Sequence, residues 1–151
     1  MDISGFFSVF MRFLHIACVA GLIGGALYAK WAMEPALNAL PEAERGQAAK
    51  TTQLKFRGIL YTILVLLVIS GIYNGFGPGT HQHSTQWQIW FGIKMLLVLH
   101  ILSTAILWVT SPYGDIAVGG KGKRRLAQLV VIGFITIFIG TYLHYLTSLG
   151  L

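Results

Sequence analysis

The chain has 151 residues, 55% of them hydrophobic and 11% charged, with a mean hydropathy of +0.68 and a formal net charge of +6. A soluble monomer of this size cannot hide so much apolar surface, so the composition predicts an all-α integral membrane protein forming one domain over 1–151. The lone Cys18 excludes an internal disulfide framework and any cysteine-built zinc or iron–sulfur site within one chain.

Four apolar segments follow in order: Phe6–Met33, Ile59–Phe76, Trp87–Trp108 and Leu126–Leu149. Each is near the roughly 20 residues that carry a helix across a hydrocarbon core of about 30 Å. The first has no basic leader or small-residue cleavage site before it, so it is expected to insert and stay. Within it Ala17, Gly21, Gly25 and Ala29 recur every four residues, a small-residue stripe that lets a neighbouring backbone approach closely. Thr62, Leu66, Ser70 and Asn74 form a second stripe, and Gly133, Ile137, Gly140, Thr141, His144 and Ser148 a third. Facing stripes of this kind specify a four-helix bundle.

The connections set the topology. Arg45, Lys50, Lys55 and Arg57 lie in the first, just after Lys30, and Lys121, Lys123, Arg124 and Arg125 in the third. The second, Gly77–Gln86, has neither lysine nor arginine. The positive-inside rule places the first and third in the cytoplasm and both termini outside, with only Arg12 against it. The basic residues therefore serve topology, and no nucleic-acid partner is expected; Lys121–Arg125 meets anionic headgroups of the lipid bilayer. Pro41-Glu-Ala-Glu reads as the start of a helix extending the second span into the cytoplasm. Gly119-Gly-Lys-Gly-Lys lacks the Gly-Lys-Ser/Thr of a phosphate loop and the strand before it.

Ionisable residues inside spans are the candidate site. A charged group at the centre of a span costs about 2.5–3.5 kcal/mol on insertion scales, so it faces a partner, a cofactor or water. Counted along the helices, His15, Lys94 and His144 fall in the outer half on three different spans, and His100 falls near the midplane. One interhelical hydrogen bond would explain any one histidine. Three histidines and a lysine together point to a shared ligand, and imidazoles on facing helices are what haem iron takes axially. Geometry favours His15 with His144 as axial ligands, with Lys94 beside them to pair with a propionate or, deprotonated, to ligate iron. His81 and His83 in the outer loop form a His–X–His pair that could take copper, although two ligands alone do not make a site.

His15 followed by Gly25 and Tyr28, the run Phe91-Gly-Ile-Lys94, and Arg57 with Ser70-Gly71 resemble the CopD-type membrane domain and the HemJ-type protoporphyrinogen oxidases, both four-helix modules. The HemJ resemblance implies that His15 and Lys94 hold haem b. Ala29-Lys30 stands where that family has Pro-Arg. The CopD resemblance implies copper uptake, yet the chain has only Met1, Met11, Met33 and Met95 as soft thioether donors. The leading expectation is a b-type haem protein of a bacterial inner membrane. It would pass electrons between a quinone-like or porphyrinogen donor and a redox partner. The alternatives are a copper-binding module using His81, His83, His15 and His144, or a non-catalytic subunit of a larger redox complex or homo-oligomer.

Overall fold

The computed structural model describes residues 3–76, 84–110 and 120–149, and all the regular elements among them are helical. Helix α1 (Ile3–Tyr28) runs through a π turn at Ala29–Met33 into a short helix α2 (Glu34–Asn38). The cause of the π turn is Pro35, which has no N–H to give to the carbonyl four residues back. The ladder widens instead, with the Glu34 N–H bonded to the Ala29 carbonyl five residues back. After a tight corner comes α3 (Glu42–Phe76), whose 35 residues make a rod of about 52 Å. Helices α4 (Thr85–Thr110) and α5 (Gly120–Ser148) complete the fold.

The start expected at Pro41 is present: Glu42 and Glu44 occupy the first turn of α3, and the Pro41 carbonyl accepts from the N–H groups of Glu44 and Arg45. Arg45 folds back so that its guanidinium donates to the carbonyls of Asn38 (2.9 Å) and Leu40 (3.1 Å). A cation thus covers carbonyls at the end of α2 that the corner leaves exposed. Leu37 and Ala49 bury against Met33 and Leu40 beneath it.

Two antiparallel pairs build the bundle: α1 lies along α3, and α4 along α5, with α1 and α5 joining the pairs. A methyl group placed on Gly21 would lie 3.2 Å from Ile63, and one on Gly25 would lie 2.9 Å from Phe56, so the small residues of α1 do admit α3. The main buried ridge of α1, Cys18, Leu22 and Ala26, is offset by one residue from the expected stripe and meets it at Ala29 in the π turn. Gly133 of α5 packs on Ile23 of α1 just as closely. The pairs are tied at the basic end by Phe56 edge-on to Trp108, and at the opposite, neutral end by Phe76 edge-on to Phe91.

Four helical stretches are long and apolar enough to cross a membrane. Phe13 and Ile16 of α1, Leu96 of α4 and Phe138 of α5 are 66%, 67%, 70% and 74% exposed. An apolar belt of this kind suits acyl chains rather than water, as expected of an integral membrane protein.

Candidate functional site

The neutral half of the bundle carries His15 on α1 and Lys94 on α4. His15 lies on the α3-facing side of α1, half-buried, with Nδ1 3.1 Å from Ser70 Oγ. Ser70 is completely buried, and its hydroxyl donates to the Leu66 carbonyl at 2.6 Å. A hydroxyl has one proton. With that proton on Leu66, Ser70 accepts from His15, so Nδ1 carries the imidazole hydrogen and Nε2 keeps the lone pair. The other wall of its slot is Gly71, where a methyl group would come within 3.2 Å of His15 Cε1. A serine that orients the ring and a glycine that makes room for it hold a one-sided, ligand-ready imidazole.

Lys94 reaches from α4 toward α5, where a methyl group on Gly140 would lie 3.5 Å from its Nζ. It is half-buried. Among the described residues it has no hydrogen bond or ion pair. The chain's acids are Asp2, Glu34, Glu42, Glu44 and Asp115, so none lies within 3–33, 59–76, 85–110 or 124–149. Lys94 therefore has no carboxylate within these spans to match it. An amine in this position is suited to an external acceptor such as a carboxylate or a ring oxygen.

The other expected residues do not join this pair. His144 lies on the exposed face of α5 and His100 on that of α4, where the His100 backbone carbonyl accepts from Ser103. On α5 the packing face holds Leu129, Gly133, Ile139 and Leu143, while Ile137, Thr141, His144 and Ser148 turn outward. His81 and His83 lie outside the described residues. Among the described residues no three of His, Cys, Asp and Glu gather where they could hold a bare metal ion. Haem needs only one or two axial ligands from the protein.

Around the pair, polar contacts lock each helix couple at the neutral end. Ser8 bonds the Tyr73 hydroxyl at 3.2 Å, and Asn74 donates to the Met11 carbonyl at 3.2 Å. Gln86 donates to the Tyr142 hydroxyl at 3.3 Å, Trp87 to Thr147 at 3.2 Å, and Trp90 stands edge-on to Tyr142. Sequence reasoning placed Ser70 on a polar stripe without pairing it with His15, and it did not place Gly71 and Gly140 beside the two ionisable groups. Depth matching could have found both glycines, since each lies on the helix neighbouring an ionisable residue at its own level. Comparison of the chain with protein-family models, with curated proteins and with solved structures gives no significant match, so the site stands on its own geometry.

Proposed function

We propose that the chain is a b-type haem-binding integral membrane protein of the electron-transfer or oxidoreductase kind, with its basic connections in the cytoplasm and its neutral end outside. The observations that carry this reading are an imidazole on α1 fixed by Ser70 and, in the same half of the bundle, an amine on α4 with no ion pair among the described residues. His15 Nε2 would hold the iron, with Ser70 keeping the tautomer. Lys94 would serve either as the second ligand or as the partner of a propionate, and the inward placement of its side chain favours it over His144 for that role. Gly71 and Gly140 leave the space beside each group free of a side chain. When bound, haem supplies one-electron redox chemistry, while the apolar belt limits water access and so influences its potential. The resemblance of His15, Tyr28, Phe91 and Lys94 to the HemJ pattern points the same way.

The test is a visible spectrum of protein purified after expression with ample haem. The wild type is expected to show a Soret band, and His15→Ala to lose it. Lys94→Met is expected to convert or weaken the band and His144→Ala to leave it unchanged. A colourless wild type, or a normal spectrum in His15→Ala, overturns the reading. A reversal of the Lys94 and His144 outcomes would move the second ligand to α5.

A further inference from the structure

At the neutral end, α4 and α5 leave a groove of about 200 Å³ lined by Trp90, Phe138, Ile139 and Tyr142. It opens on the belt that faces lipid, since Phe138 is 74% exposed. Its lining is aromatic on three of these four residues, and rings offer flat surfaces for stacking. Lys94 flanks it: one turn along α4 from Trp90, with Nζ against Gly140, the residue next to Ile139. An apolar groove thus stands beside an amine for which the membrane spans provide no carboxylate.

Size and charge together narrow the occupant. An apolar cavity of about 150 Å³ holds one benzene ring. A groove of 200 Å³ therefore suits a single substituted ring, and a porphyrin macrocycle is several times too large. Access from the bilayer selects a ligand that dissolves there. Lys94, as a donor, selects a ring that carries oxygen acceptors. We infer that the groove is a binding site for a lipid-soluble monocyclic quinone, its ring against Trp90 and Tyr142 and one ring oxygen accepting a hydrogen bond from Lys94. The physiological meaning rests on the electron-transfer reading above, in the form that leaves Lys94 protonated and off the iron, because such a ligand would be its membrane-phase donor or acceptor. The binding itself does not require haem.

The experiment uses the full chain in phosphatidylcholine nanodiscs, titrated with a decyl-substituted benzoquinone, with tryptophan fluorescence as the readout. Wild type is expected to show saturable quenching above the linear effect of probe dissolved in lipid. A hydrogen bond to a charged group is worth about 1.5–3 kcal/mol, so Lys94→Met should weaken the saturable phase by about 10-fold or more. Phe138→Ala alters an exposed wall of the groove without touching the core, and it should weaken the same phase. Linear quenching that is equal in all three proteins overturns the proposal, as does saturable quenching untouched by either substitution. Laurate that competes as well as the quinone, in a Lys94-dependent way, would make the ligand an anionic amphiphile and overturn the quinone assignment. Saturable quenching in protein that never takes up haem would sink the haem reading and leave the groove standing.

Discussion

Gly133→Ala probes the contact that joins the two helix pairs. A methyl group there would lie 2.9 Å from Ile23 Cδ1 and 3.0 Å from its Cγ1, and Ile23 is only 8% exposed. Overpacking of this kind costs about 1–3 kcal/mol. Alanine recovers about 0.8–1.0 kcal/mol over glycine in a helix interior, so the net loss is expected to be about 1 kcal/mol. Gly92→Ala is the control, because nothing lies within 4 Å of the added methyl group there. The difference between the two variants reads the clash free of helix propensity and should be about 1–3 kcal/mol. Ile23→Val removes the atom in closest contact. In the Gly133→Ala background it should therefore cost less than the usual 0.5–1.5 kcal/mol, roughly speaking, or even restore stability. Cys18 supplies the assay: it is the chain's one cysteine and it is buried, so a thiol-reactive dye reports thermal unfolding in detergent. Equal midpoints for Gly133→Ala and Gly92→Ala would refute this register of α1 on α5.

Two further outcomes follow from the site and the topology. Ser70→Ala should leave the iron ligand unchanged but weaken cofactor retention by about 10–100-fold, since it removes the acceptor that fixes the His15 tautomer; unchanged retention would sink the tautomer argument. A cysteine at Ser84, between α3 and α4, should label with a membrane-impermeant reagent from outside the cell, and Lys50→Cys only after the membrane is opened. The reverse pattern would invert the topology.

The spans were legible because their length and composition need no tertiary information, and Pro41 with Glu42 and Glu44 marked the start of α3 from chemistry alone. The azimuth of each helix was not legible. In a soluble helix, polar residues mark the outer face, whereas here both lipid and core select apolar side chains. Helix α5 shows the result: of the stripe Gly133, Ile137, Gly140, Thr141, His144 and Ser148, the two glycines pack against Ile23 and Lys94, while Ile137, Thr141, His144 and Ser148 turn outward and Leu129, Ile139 and Leu143 turn inward. His15 and Lys94 were readable as candidates because ionisable groups in a span need an explanation. Their neighbours Ser70, Gly71 and Gly140 were not, because each belongs to another helix and only packing brings it there. The π turn had a visible cause in Pro35, but a kink, a break and a widened turn are all open to a proline in a helix.

The pairing of α1 with α3 and of α4 with α5 also sets an order of events during synthesis. His15 meets Ser70 within the first two spans, so its setting is complete before α4 has been made. Lys94 meets Gly140, which is translated 46 residues later (140 minus 94). At about 5–20 residues per second, that interval lasts about 2–9 s. Throughout it, an ammonium that belongs in the bundle has no α5 to pack against. The α4–α5 half of the bundle is therefore the last to close. A chain truncated after Thr110 is expected to keep the His15–Ser70 contact and to leave the Lys94 amine without its place against Gly140.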